Sequence, residues 1–100
     1  MSEPSPNAHR PSRARTSETR RARWASCAVR VGERIREVRT ERRLTQEDLA
    51  ELADIHHKQV GRLERGESNV TIATLVAVAD ALRVRPGDLL EGVDAPTSEE

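Results

Sequence analysis

The stretch from Leu44 to Gly66, LTQEDLAELADIHHKQVGRLERG, decides the fold of this chain. It contains two short helical patterns joined by a tight polar turn. In the second pattern, Val60 and Leu63 share one face at about 100° per residue. The opposite arc combines small, polar and basic side chains: His57, Lys58, Gly61 and Arg62. Such a helix is suited to present its outer face to an anionic partner.

The composition favours packed helices. Of 100 residues, 35% are hydrophobic and 34% charged, and Trp24 is the one aromatic side chain. A core built from Leu, Ile, Val and Ala suits short helices better than a sheet. Residues 1–43 carry twelve Arg against five acidic residues, and residues 44–100 carry five basic against twelve acidic residues. The net charge of zero therefore hides halves of +7 and −7, so local charge says more about partners than the total.

Several classes of protein are not expected. Cys27 is a single cysteine with no partner for a disulfide or for zinc, and His56 and His57 point about 100° apart on a helix, which disfavours a shared metal. No run approaches the ~18 apolar residues of a membrane helix, and no signal peptide is visible. No catalytic constellation or phosphate-binding loop has a supporting context. We expect a cytoplasmic protein that is not an enzyme and has no cofactor, metal or membrane contact.

Three segments are predicted along the chain. Residues 1–28 are rich in Arg, Ser and Pro and poor in apolar residues, which predicts a disordered arm. That arm either contacts DNA phosphates or is a solvated leader. Residues 29–91 form the predicted domain, and residues 92–100 an acidic flexible tail.

Five short helices are predicted within residues 29–91. The first starts near Val29 and ends near residue 42, and the others span about 46–53, 57–65, 72–82 and a short segment from Pro86. Thr45 followed by Asp48 is a helix start signal, and Thr71 or Ser68 can cap the fourth helix. Asp54 stands where a left-handed turn residue is needed, and His56 is the predicted cap of the third helix.

The side chains of this region resemble those of the Xre/phage-repressor type of helix-turn-helix protein. The matching positions are Arg39, Leu44, Thr45, Gln46, Leu49, Ala50, Ala53, Val60, Leu63, Glu64, Gly66, Asn69, Thr74, Leu75, Ala79 and Leu82. The resemblance covers about 60 residues, the whole predicted domain and neither tail. It implies an all-α, compact five-helix phage-repressor-like domain with the helix-turn-helix as helices 2 and 3. Gly is usual at positions 54 and 83 of such proteins, and Ser or Thr at position 56.

The resemblance also implies roles for particular residues. Arg39 and Glu64 are expected to form a partly buried ion pair. The third helix is expected in the major groove of DNA, where the base-reading residues are His57, Lys58, Gln59, Gly61 and Arg62. For Gly61, close approach to DNA and simple packing room are both open. The expected phosphate contacts are Gln46, Arg42, Arg43, His56 and Arg65.

The expected function is a sequence-specific DNA-binding transcriptional regulator, a repressor, acting on double-stranded DNA as a homodimer. Leu89, Leu90 and Val93 are candidate dimer contacts or, alternatively, pack on helix one. The alternative function is an antitoxin or a protein-interaction adaptor built on the same fold. An antitoxin needs a toxin-binding segment, and the arm around Trp24 is the candidate, although Trp24 could instead pack on the first helix.

Overall fold

A computed structural model describes residues 13–93, with side chains from Thr19 to Val93. Over this range the chain forms five helices: α1 (Arg13–Glu41), α2 (Gln46–Ala53), α3 (His57–Glu64), α4 (Ile72–Leu82) and α5 (Pro86–Leu89). The predicted all-α fold class is confirmed, with α2 and α3 as the helix-turn-helix pair. None of the helices in the described range is both long and apolar enough to span a membrane.

The first helix starts much earlier than predicted. α1 begins at Arg13 and not near Val29, so residues 13–28 are helical and the predicted disorder is corrected there. Between Pro11 and Gly32 the sequence has no Gly or Pro and many Ala and Arg, which are strong helix formers. Extending a helix that the core already holds needs no new nucleation. Residues 1–12 of the predicted arm and 94–100 of the predicted tail lie outside the described residues.

A core of aliphatic side chains joins the helices. α3 packs on α1 and α2, α2 packs on α4, and α4 packs on α5. The largest fully buried side chains come from all five helices: Ile35, Val38, Leu49, Val60, Leu63, Val78, Leu82 and Leu89. Because α3 is packed into this core, the orientation of its exposed face is fixed relative to the other helices.

The C-terminal apolar residues divide between core and surface. Leu89, predicted as a candidate dimer contact, is fully buried, and Val93 is half-buried against the core. Both therefore match the alternative of packing within the domain. α5 packs on α4 and α1, which turns Leu89 inward, whereas Leu90 stays 44% exposed. Of the three residues, Leu90 alone remains available as a dimer contact.

Left-handed residues end the first four helices. In each case the left-handed residue donates its N–H to a carbonyl three residues back, and the following residue donates to a carbonyl five residues back. These paired bonds satisfy carbonyls that a helix end leaves free. The left-handed residues, with φ between 59° and 72°, are Arg43, Asp54, Gly66 and Arg83. Asp54 thus has its predicted conformation. Of the four left-handed positions, only Gly66 carries glycine, the residue that this conformation favours.

Replacing Arg83 by Gly should therefore stabilise the domain. A left-handed backbone strains a side chain with a Cβ, so Arg83→Gly should raise the free energy of unfolding by about 0.5–1 kcal/mol. Urea denaturation measures the change. Gly66→Ala is the opposite control, because a Cβ there would also lie 2.8 Å from the Val29 Cα, and this variant should lose stability. A lower stability for Arg83→Gly would contradict the strain at this helix end.

Candidate nucleic-acid interface

A capping box starts α2. The Thr45 hydroxyl accepts a hydrogen bond from the Asp48 N–H at 2.9 Å, and the Asp48 carboxylate accepts one from the Thr45 N–H at 2.9 Å. The bond from the Thr45 backbone, and then the contact with its side chain, lower the pKa of the Asp48 carboxyl. Because the folded pKa is the lower one, the box stabilises the fold above the unfolded pKa. That contribution is lost as the pH falls through the folded pKa.

Two histidines form the entrance to α3. His56 is the cap, and its Nδ1 accepts a hydrogen bond from the Lys58 N–H at 3.1 Å. The His57 ring stacks on it, with ring centroids 4.8 Å apart. The bond to His56 satisfies one of the backbone N–H groups that the start of α3 leaves without a partner inside the helix. The predicted cap role is thus present, and the ring that was also expected near phosphate faces the backbone of α3.

A buried ion pair joins α3 to α1. Arg39 Nε lies 2.5 Å from Glu64 Oε2, and Arg39 Nη2 donates to Glu64 Oε1 at 3.1 Å. The side chains of Arg39 and Glu64 are only 14% and 3% exposed. Arg39 Nη1 also donates to the Leu44 carbonyl at 2.7 Å. The pair therefore ties α1, the start of the helix-turn-helix and the end of α3 into one unit.

Gln46 joins this anchor. Its Nε2 donates to Glu64 Oε1 at 3.0 Å, so Glu64 accepts from two helices at once. Sequence spacing offered no signal for this bond, because the two residues lie 18 positions apart on different helices. An amide nitrogen has two hydrogens, so the second N–H of Gln46 remains for another acceptor.

The exposed arc of α3 is basic. Lys58, Arg62 and Arg65 are exposed and fall within one arc at about 100° per residue. His57 is exposed at the start of the helix, and Gln59 is half-buried. The structure thus brings Lys58 and Arg62 together on the face expected to read bases.

Gly61 lies beside this arc and is buried. A Cβ there would come within 3.1 Å of the Arg65 guanidinium and 3.8 Å of the Gln46 amide oxygen. The position thus faces side chains of the protein, which favours packing room over close approach to DNA as the reason for glycine.

The predicted phosphate-contacting arginines have different surroundings. Arg42 donates from Nε to the Leu82 carbonyl at 2.9 Å, which directs it to the end of α4. Arg65 forms a two-point ion pair with Glu67, which raises the pKa of Arg65 through the hydrogen bond between them. Arg43 is exposed at the left-handed end of α1.

Residues 35–89 match the HTH_3 helix-turn-helix family. Control protein C.SmaI of Serratia marcescens is 40% identical over 60 residues, which cover 60% of this chain and 71% of that protein. The immunity repressor protein of Bacillus phage phi105 is 44% identical over 55 residues, covering 55% of this chain and 38% of that protein. The crystal structure of the restriction-modification controller protein C.AhdI from Aeromonas hydrophila has a TM-score of 0.61 at 40% identity, covering 62% of this chain and 94% of that chain.

Proposed function

Because this chain belongs to the HTH_3 helix-turn-helix family and is a DNA-binding transcriptional regulator, we propose that it represses transcription as a homodimer that reads DNA with α3. The resemblance to the phage-repressor type is thereby confirmed. Repression is supported by the similarity to an immunity repressor protein. The protein acts in the cytoplasm, where bacterial or phage DNA would be bound.

The exposed basic arc of α3 is the observation that carries this proposal. Arg62 makes a bidentate contact with guanine, which is worth about 1–3 kcal/mol of discrimination against other bases. Lys58 contacts a neighbouring base or phosphate, with His57 and Gln59 at the margins of the face. Gly61 contributes room for Gln46 and Arg65 and not a base contact. These contacts require α3 to be held in one orientation. The buried ion pair between Glu64 on α3 and Arg39 on α1 holds it there.

Phosphate contacts set the position of α3 on the duplex. The free N–H of the Gln46 amide, at the start of α2, donates to a phosphate oxygen, aided by the positive end of the helix. Arg43 and Arg65 add charge around this contact. Arg65 exchanges its exposed Glu67 partner for phosphate at small cost, since such surface pairs are worth roughly 0–1 kcal/mol.

A dimer follows from the size of the reading surface. One helix-turn-helix reads about half of an operator, so two copies on a two-fold-related site give useful affinity and specificity. The half-sites are then spaced about one turn of DNA apart, or a multiple of one turn.

Salt titration separates a DNA-binding regulator from an adaptor. The affinity for a random-sequence duplex should fall steeply as salt rises, with a slope of log K against log salt of about −0.9 per phosphate contacted. Fluorescence anisotropy of a labelled duplex measures this slope. An affinity independent of salt, or no binding, would contradict DNA binding and favour the antitoxin or adaptor alternative.

Single substitutions test the assigned roles. Arg62→Ala should lower the affinity for a selected site by about 1–3 kcal/mol and relax the preference at one base position. Gln46→Ala should lower the affinity for DNA of every sequence by the same factor, because it removes a phosphate contact. Arg36→Ala is the matched control, since Arg36 is an exposed arginine on the outer side of α1. Equal losses from Arg36→Ala and Arg62→Ala would show that charge alone, and not α3, determines binding.

A further inference from the structure

The first helix continues well beyond the packed domain. α1 begins at Arg13, and Val31 is the first buried side chain among those described on it. Residues 13–28 lie before this point and span roughly 24 Å at 1.5 Å per residue. The described part of the molecule is accordingly elongated, with principal extents of 60, 24 and 19 Å. We call residues 13–28 the α1 extension; they precede residues 35–89, which match the family.

Arginine is concentrated on the α1 extension. Its sequence, RARTSETRRARWASCA, contains five Arg against one acidic residue, a net charge of +4. The arginines whose side chains are described, Arg20, Arg21 and Arg23, are all exposed. The ion pairs found among the side chains of residues 19–93 include none of the three. The α1 extension therefore presents positive charge that the described part of the chain does not neutralise.

The packed part of α1 has a more balanced charge. Residues 29–41 contain four Arg and three Glu. Arg30, Arg34 and Arg39 each form an ion pair with a glutamate of α1 or α3. The same helix thus balances its arginines with acid where it packs in the domain, and does not do so on the α1 extension. The α1 extension is therefore the part of the helix suited to an anionic partner.

The α1 extension leaves the domain beside the end of α3. A Cβ at Gly66, which follows α3, would lie 2.8 Å from the Cα of Val29. A Cβ at Gly32 would lie 2.7 Å from the Glu64 carbonyl oxygen. The backbone of α1 thus touches the end of α3 at two places. A duplex held by the exposed basic arc of α3 is consequently close to the point where the α1 extension begins.

Arg21 and Arg23 lie on opposite sides of α1. Gly32 marks the side of the helix that meets α3. Arg21 precedes Gly32 by about three turns, or roughly 16 Å along the axis, so both lie on this side. Arg20 is rotated from Arg21 by about 100° and Arg23 by about 200°, which places Arg23 on the far side. α1 therefore carries the Arg21 charge past the end of α3 on the side that α3 occupies.

We propose that the α1 extension is a second DNA-contacting surface, on which Arg21 binds a phosphate of the duplex beyond the bases that α3 reads. This rests on the proposed function, because α3 determines where the duplex lies. Arg20 adds positive charge beside the contact, and Arg23 faces away from it. The ligand is the phosphodiester backbone, so the contact adds affinity at every sequence and gives no base preference.

The contact has a defined place on the duplex, since α1 is one continuous helix from the α1 extension to the part that packs on α3. The roughly 16 Å between Arg21 and Gly32 corresponds to about five base pairs at 3.4 Å per step. The contacted phosphate should therefore lie about five base pairs from the DNA next to the end of α3.

Arg21→Gln and Arg23→Gln form a matched pair of variants. Each removes one exposed arginine from the same stretch of helix and substitutes another good helix former. Arg21→Gln should make the slope of log K against log salt shallower by about 0.9 on a random-sequence duplex. Its affinity near 0.1 M salt should fall roughly 5- to 10-fold. Arg23→Gln should change the affinity less than about 2-fold, and Arg21→Lys should keep the slope of the wild type because it keeps the charge. Fluorescence anisotropy of the full chain measures all four proteins.

The length of the duplex gives a second test. A selected site with about 10 base pairs of flanking DNA on each side is compared with the same site without flanks. The wild type and Arg23→Gln should bind the longer duplex more tightly, and Arg21→Gln should lose most of this gain. An equal gain in Arg21→Gln would show that the α1 extension does not contact the flanking phosphates.

The outcomes separate this proposal from the proposed function. Arg62→Ala should lose its base preference on α3 and still show the full effect of Arg21→Gln, because the two contacts are independent. If Arg21→Gln has the salt slope of the wild type, or if it and Arg23→Gln have equal effects, the oriented contact is excluded while DNA binding by α3 stands. A wild-type protein that binds no duplex at any salt concentration contradicts both.

Discussion

Arg39→Ala should lower the free energy of unfolding by about 3–5 kcal/mol, the usual effect of leaving one member of a buried ion pair alone. The Glu64 side chain is 3% exposed, and without Arg39 its carboxylate keeps only the hydrogen bond from Gln46. Thermal and urea denaturation measure the loss of stability.

The double variant Arg39→Met with Glu64→Leu is the informative comparison. It removes both charges and fills the space with apolar side chains, so it should be more stable than Arg39→Met alone. Glu37→Ala provides the matched surface control, because the Arg34–Glu37 pair has side chains 21% and 54% exposed. Its loss should be no more than about 1 kcal/mol. A deficit for Arg39→Ala as small as that of Glu37→Ala would rule out the pair as the anchor of α3.

Among substitutions that add a single methyl group, Gly32→Ala should lower the free energy of unfolding the most. A Cβ at Gly32 would lie 2.7 Å from the Glu64 carbonyl oxygen and closer still to the Leu63 carbonyl oxygen. Both are backbone atoms of α3, so the clash cannot be relieved by turning a side chain. The expected loss of stability is about 1–3 kcal/mol or more. Because relief requires α3 to move, the affinity for DNA should fall as well.

Gly87→Ala is the control for Gly32→Ala. No atom lies within 4 Å of a Cβ at Gly87, so this change should be neutral or stabilising by a few tenths of a kcal/mol. Similar stabilities for the two variants would mean that α1 and α3 do not cross closely at Gly32.

Local sequence signals correctly predicted where α2, α4 and α5 begin. Thr45, Thr71 and Pro86 stand at the starts of α2, α4 and α5, where caps and a first-turn proline are favoured. Asp54 adopts the left-handed conformation expected of it. These features depend on a residue and its near neighbours, which is why the sequence reveals them.

Features that depend on distant parts of the chain were harder to predict. The start of α1 was missed because low hydrophobicity and high charge also describe disordered segments, and here continuity with a packed helix decides. For Leu89, a dimer contact and packing on helix one both stayed open, because its burial depends on how α5 folds back on α4. The bond from Gln46 to Glu64 joins two helices whose approach no local pattern encodes. Which residues contact bases stays a prediction until DNA is bound.

Selection of bound fragments from a random DNA pool tests the central claim most directly. If α3 reads the major groove in a two-fold dimer, the wild type should enrich an inverted repeat with half-sites about 10 base pairs apart or a multiple of that spacing. Arg62→Ala should then lose the preference for a guanine at one position of each half-site. Fragments without a common motif, or the same motif enriched by Arg62→Ala, would contradict α3 as the reader of DNA sequence.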